Sequence, residues 1–228
     1  MNELALFAGA GGGILGGHLL GWRTVCAVEI EDYPRRVLLA RQRDGILPRF
    51  PIWDDIRTFD GREWRGRVDV VSGGFPCQRF SSAHHGVPVA TDLRPEFARV
   101  VSAVRPRFVF YENVSRVAID GLAYKLSKLG YISRGIKISA RDVGADHLRN
   151  RYWAIAYTNE DREFCLPVNA EASILSELRC CVWETGPDEF RVADGVADRM
   201  DRIRTIGNGQ VPSVAALAWR ILSSNADC

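Results

Sequence analysis

Leu4-Ala5-Leu6-Phe7-Ala8-Gly9-Ala10-Gly11-Gly12-Gly13-Ile14-Leu15 is the stretch on which the fold turns. Leu4 to Phe7 reads as a short apolar strand, and the glycines break it. Ile14, Leu15, His18, Leu19 and Leu20 then continue as a helix. Strand, glycine turn and helix open a nucleotide-binding unit: glycines let the backbone approach a ligand, and the first helical N–H groups favour polar or anionic atoms. A second strand, Thr24 to Val28, ends at Glu29, about 20 residues after the glycines, where such a unit places an acid on ribose hydroxyls. The spacing is not GxGxxG, so a dinucleotide is only one candidate ligand. As a surface acid at a helix start, Glu29 would leave its register with the glycines unexplained.

Further along, a helix over about Tyr33 to Arg43 closes at Asp44-Gly45, and Pro48 to Pro51 form a break. Asp54 and Asp55 follow and bring another acid toward the sheet edge, or serve as helix caps. Val68 to Ser72 predicts a buried strand that Gly73-Gly74 break into a loop, leaving Cys77 just past its carboxyl end. In an open α/β sheet that edge is where ligands bind. Pro76 and Gln78 are unusual company for a thiol that only packs, although most free cysteines do only that. The polar loop from Ser81 to Asp92, with His84-His85, has the length of a lid. A helix is predicted over Pro95 to Val104. The strand Arg107 to Tyr111 then ends at Glu112-Asn113-Val114, where burial by the preceding aromatics raises the carboxyl pKa toward a range useful in acid catalysis. A helix over Ile119 to Leu129 and strands over Ile132 to Ile138 and Tyr152 to Tyr157 follow. Arg149 and Arg151 lie between those strands and would point the same way if extended, a double clamp for an anion or carbonyl oxygen. The last helix, Val214 to Leu222, follows Gly207-Asn208-Gly209.

Composition narrows the class. A chain of 228 residues, 46% hydrophobic, supports one domain with a sizeable core. The expected fold is α/β and Rossmann-like, a mostly parallel sheet with helices on both faces. No apolar run approaches the ~20 residues of a membrane span, and no basic leader precedes the first apolar segment. These features predict a soluble, cytoplasmic protein with no membrane partner. The six cysteines lack paired spacing, which argues against a disulfide framework. Cys165, Cys180 and Cys181 have neither CxxC spacing nor a nearby histidine, so no metal is expected. The net charge of +2 does not announce a polyanion. Lys125, Lys128 and Lys137 are the only lysines, so positive charge is almost all arginine, which suits phosphate and base edges and equally reflects codon bias.

In order, Phe7-Ala8-Gly9-Ala10-Gly11-Gly12, Gly74-Phe75-Pro76-Cys77-Gln78, Glu112-Asn113-Val114, Arg149-Asn150-Arg151 and Gly207-Asn208 resemble the motifs of the cytosine-5 DNA methyltransferases. The resemblance runs from residue 3 to about 158 and resumes from about 190 to 222. It implies methyl transfer from S-adenosyl-L-methionine to carbon 5 of a cytosine flipped out of duplex DNA. Cys77 is then the nucleophile at carbon 6, Glu112 the group at ring nitrogen 3, and Arg151 the holder of the carbonyl at carbon 2. Arg149 supports the thiolate or the phosphate. For the donor, the resemblance places Phe7 near the adenine, Gly9, Gly11 and Gly12 at the methionine portion, and Glu29 on the ribose. Ile30 lies against the adenine with Asp55 at its amino edge, and Ile56, Pro76, Leu93 and Asn208 complete the site.

The resemblance also implies a prokaryotic or phage-encoded, nucleoid-associated enzyme of the restriction-modification kind. Residues 1–157 and 191–228 form the catalytic domain, and 158–190 the target-recognition insert. An insert below the ~40 residues needed for a core of its own predicts a short or relaxed recognition sequence, or recognition shared with a partner chain or a second copy. His147 stands where the family usually has glutamine, and Gln210 where it usually has a small or aliphatic residue. Three alternatives stay open: a tRNA cytosine-5 methyltransferase, a non-catalytic DNA-binding relic, and a nicotinamide-dependent reductase. The reductase reading leaves Cys77 and Glu112 unexplained.

Overall fold

The computed structural model describes residues 1–76, 92–158, 201, 205 and 207–224. Among these, β1 (Asn2–Leu6), β2 (Arg23–Val28), β3 (Ile52–Trp53), β4 (Val70–Gly74), β5 (Phe108–Asn113), β6 (Tyr131–Ile138) and β7 (Arg151–Thr158) form one sheet. Their order across it is β3-β2-β1-β4-β5-β7-β6. The first five are parallel, and β7 runs antiparallel to both of its neighbours. The chain winds outward one way from β1 to β3 and the other way from β4 to β5. The carboxyl ends of β1 and β4 therefore meet at the switch point where such sheets hold ligands.

Alternation along β1 decides which layer covers which face. Leu4 and Leu6 join a core with Val71, Val109 and Tyr111 under α3 (Arg94–Val104) and α4 (Arg116–Ser127). On the opposite face Ala5 meets Ile14 of α1 (Gly12–Leu19) and Leu38 of α2 (Asp32–Arg43). The same face further along takes the last helix, α5 (Pro212–Ser224). Trp219 anchors α5 by setting its ring edge-on to Trp22 at 4.6 Å, Phe110 at 5.4 Å and Phe108 at 5.5 Å. Gly16 of α1 clears room for α5: a Cβ there would stand 2.7 Å from the Ala215 Cβ. The final helix thus packs against the helix that follows the glycine turn, as the methyltransferase-family resemblance implies.

Three sequence expectations shift. Gly73 and Gly74 do not break the strand but end it, inside β4, and Val68 lies before it. Their smallness serves packing: a Cβ on Gly73 would stand 2.6 Å from the Leu6 carbonyl oxygen and 3.2 Å from the Phe97 ring. Phe7 is outside β1, its φ of 52° already in the left-handed region. Finally, α4 begins at Arg116 because the Ser115 side chain accepts from the Ala118 N–H and caps it there. Cys77, the loop with His84 and His85, Cys165, Cys180 and Cys181 lie outside the described residues, as does the insert beyond residue 158.

Glu3 is a fully buried carboxyl group on β1. It accepts from Thr24 Oγ1 at 2.7 Å on β2 and from Ser72 Oγ at 2.6 Å on β4, so one acid laces three strands. Burial pushes its pKa from 4.5 to about 7 against the pull of those two hydroxyls. The folded state therefore holds a proton that the unfolded chain releases above pH 4.5, and stability falls as pH rises from there through about 7. The displacement corresponds to about 3 kcal/mol. Urea titrations at pH 4.5 and pH 8 should show wild type losing that much more stability across the interval than Glu3→Gln. Equal losses would refute it.

Candidate active site

The turn after β1 is built on left-handed backbone at Phe7 (φ 52°), Gly9 (φ 54°) and Gly11 (φ 92°). Only glycine takes that region without strain, so Phe7 is held there by its surroundings, its ring stacked 6.2 Å from Phe97. Gly11 caps α1 without any side-chain hydrogen bond to the first turn. At Gly9 a Cβ would meet nothing within 4 Å among the described residues, which leave that side of the turn open.

The register of Glu29 with the glycines is a hydrogen bond. The Gly9 N–H donates to Glu29 Oε2 at 2.7 Å and the Glu31 N–H to Oε1 at 2.8 Å. Burial pushes the Glu29 pKa up and these two amides draw it back. Beside it Ile30 stands 54% exposed, an apolar side chain left uncovered where β2 ends. The Glu29 N–H donates to the Trp53 carbonyl, which brings the end of β3 and the following Asp54-Asp55 to the same edge. Asp55 accepts from the Arg57 N–H at 2.9 Å and pairs with its guanidinium at 2.7 Å, an interaction that lowers the Asp55 pKa. Ile56 is buried, its carbonyl bound by Arg99.

The second half of the edge is formed by β4, β5 and β7. Glu112 lies in register with Gly74, three residues before Cys77, and with Trp153 on the other side. The Glu112 carboxyl is buried, its Oε1 3.0 Å from Arg151 Nε and its Oε2 3.3 Å from Gln210 Nε2. Burial raises its pKa, while the charge of Arg151, the Gln210 hydrogen bond and the charge of Arg149 oppose that rise. Asn113 next door donates from Nδ2 to the Phe75 carbonyl at 2.8 Å and accepts from the Ser115 N–H at 3.0 Å. Its carboxamide thereby ties Phe75, next to exposed Pro76, to the end of β5.

The charges of both arginines bear on Glu112, while their hydrogen bonds go to different partners. Arg149 lies before β7, so strand alternation does not align it with Arg151. It donates to the Gly207 and Gly209 carbonyls at 2.5 and 2.6 Å. Arg151 faces Glu112, and Arg149 closes the loop that enters α5. Leu93 sits at the start of α3, beside the Asp92–Arg94 pair, and Asn208 is exposed. Sequence reasoning missed two residues of this edge. Gln210 is marked in the sequence only as an unusual residue at its position, and Asn113 only as a motif letter. Among the described residues no cluster of histidine, cysteine, aspartate or glutamate could hold a metal ion, and no helix is long and apolar enough to cross a membrane.

The type II methyltransferase M.NgoMIV of Neisseria gonorrhoeae is 32% identical over 173 residues, 72% of this chain and 54% of that protein. M.CviJI of Paramecium bursaria Chlorella virus IL3A is 27% identical over 228 residues, covering 96% of this chain and 58% of that one. The chain thus spans little more than half the length of these two relatives. A crystal structure of a Spodoptera frugiperda DNMT2 mutant shares the fold, with a TM-score of 0.56 at 20% identity over 69% of this chain and 50% of that one. The family description for C-5 cytosine-specific DNA methylases matches residues 1–180, and the chain belongs to that family.

Proposed function

We propose that this chain transfers a methyl group from S-adenosyl-L-methionine to carbon 5 of cytosine in duplex DNA. The observation that carries the reading is Glu112. It is a buried carboxyl paired with Arg151 at a sheet's carboxyl edge, in register with the strand that leads into Cys77. Carbon 5 of cytosine is a poor nucleophile until a group adds at carbon 6. The Cys77 thiolate supplies that group, and Glu112 hydrogen-bonds ring nitrogen 3 so that negative charge does not build up. Arg151 takes the neighbouring carbonyl oxygen. Carbon 5 then accepts the methyl group, loses its proton, and the carbon–sulfur bond breaks to release the thiolate. The target base leaves the helical stack first, because its reacting face is otherwise covered.

The turn side of the edge fits the methyl donor. Gly9 opens onto space that the described residues leave unfilled, the buried Glu29 carboxylate is aimed by two backbone amides, and exposed Ile30 offers an apolar face for an adenine. Bound there, the donor supplies an electrophilic methyl group. Phe7, Gly9, Gly11, Gly12, Glu29 and Ile30 would hold it, with Asp55, Ile56, Pro76, Leu93 and Asn208 at its margins. Asp55 already pairs with Arg57, so it is a weaker adenine partner than Glu29 is a ribose partner. Residues 158–190 serve as the recognition insert. A segment this short suits a brief or degenerate target sequence, or recognition completed by a partner chain or a second copy. The bacterial relative favours action on cytoplasmic DNA in a bacterium.

Labelled methyl donor offered to duplex DNA and to tRNA, with bisulfite sequencing of DNA from expressing cells, tests the reading. We expect cytosine-5 methylation of DNA by wild type and none by Cys77→Ala. Label entering only tRNA, or methylation that survives Cys77→Ala, would overturn it.

A further inference from the structure

We propose that Gln210 is a positioning residue that ties the glycine turn after β1 to the Glu112 carboxyl group, so that one side chain sets the acid against the donor-binding turn. The inference rests on the function proposed above and deepens it. Gln210 makes contact at both ends. Its Nε2 lies 3.3 Å from Glu112 Oε2, and Arg151 holds the other carboxylate oxygen at 3.0 Å, so the two oxygens are fixed from different elements. Its main-chain carbonyl lies over Gly12 and its side-chain oxygen over Gly13, both closer than any Cβ would allow.

A third glycine keeps the path open. A Cβ on Gly74 would stand 2.7 Å from both Gln210 Nε2 and Glu112 Oε2 and would force them away from that strand. This contact adds a reason for glycine at the end of β4. The Gln210 backbone is itself anchored, because Arg149 bridges the Gly207 and Gly209 carbonyls just before it and the Gly209 N–H donates to the Thr205 carbonyl at 2.9 Å. The described charged groups that face Glu112 are Arg151 on β7 and Arg149 before it, and β4 presents only Gly74. A neutral amide is suited to the remaining oxygen: it orients the carboxyl without adding a third positive charge that would hold Glu112 ionised.

Gln210→Met keeps length and approximate volume but removes the amide, and Gln210→Asn keeps an amide one methylene too short to reach. We expect both to lower the single-turnover rate of methyl transfer about tenfold, with donor Kd within about threefold of wild type. In the free, full-length protein, Glu112 can be followed by carbon-13 NMR of labelled glutamate, its resonance identified by its loss in Glu112→Gln. In Gln210→Met its titration should move to higher pH, because an N–H that favours the ionised form is gone. An unmoved titration, or a rate loss equalled by lost donor affinity, would overturn the proposal and leave Gln210 a spacer. A wild-type protein that transfers no methyl group, with the Glu112 titration still responding to Gln210→Met, would instead overturn the functional reading and leave the contact standing.

Discussion

Glu112→Gln is expected to slow methyl transfer to duplex DNA by roughly a hundred- to ten-thousand-fold while the protein remains at least as stable as wild type at pH 8. The two halves of this result have one cause. Glutamine has the shape of glutamate, and its Oε1 accepts from Arg151 Nε where the carboxylate does now at 3.0 Å. In the proposed reaction it cannot hold or release a proton at ring nitrogen 3, so charge arriving in the ring goes unanswered. On the stability side, burial raises the Glu112 pKa in the folded protein. A carboxyl whose folded pKa is raised weakens the fold as pH climbs above its unfolded value, and glutamine removes that weakness. The gain is limited because Arg151 and Gln210 already offset part of the burial cost, and the new amide nitrogen meets Gln210 Nε2, donor against donor, until one amide turns over. Rapid-quench methyl transfer and urea unfolding at pH 6 and pH 8 check both halves. A rate within threefold of wild type would show that Glu112 is structural.

The parts of this edge that could be read from the sequence are those whose partners lie in fixed local patterns. Glu29 was legible because the step from a glycine turn along α1 to the end of the next strand has a nearly constant length, and the structure turns that spacing into the Gly9 to Glu29 hydrogen bond. Glu112 was legible as a buried acid because four apolar β formers precede it, and all of them are buried in β5. The misreadings share a different cause. Gly73 and Gly74 look like turn glycines, and only the Leu6 carbonyl, Phe97 and the Glu112–Gln210 contact reveal that they are small for want of space. Arg149 lies before β7 and binds the Gly207 and Gly209 carbonyls, partners 58 and 60 residues away that strand alternation does not show. Gln210 lies 98 residues from Glu112, and no local periodicity carries information over that separation. Glu3 was silent for the same reason: Thr24 and Ser72 become its partners only when β1 is set between β2 and β4.

Two substitutions in the glycine turn should separate the roles of glycines that look alike in sequence. Gly12→Ala would drive a methyl group into the Gln210 main chain, its Cβ 3.0 Å from the carbonyl carbon and 3.3 Å from the nitrogen as the backbone now stands. Neither partner can swing aside: Gly12 opens a helix whose next turn already touches Ala215 through Gly16, and Arg149 pins the chain on the far side. Relief requires α1 and α5 to separate, and overpacking of that kind costs about 3 kcal/mol. For a domain of this size that lowers Tm by about 6–12 °C. Gly9→Ala meets no atom of the described residues within 4 Å and bears the strain of φ +54°, about 1 kcal/mol, so its Tm should fall by a few degrees at most. Its methyl group would project into the open space above the turn, where the donor is proposed to sit, and donor Kd should rise at least tenfold. Thermal melts and donor titrations of the two variants therefore separate the two effects, with Gly12→Ala the less stable and Gly9→Ala losing donor affinity with little loss of stability. Gly12→Ala melting within 2 °C of wild type would mean that α1 and the Gln210 segment are not in contact, and Gly9→Ala binding the donor normally would move the donor away from the glycine turn.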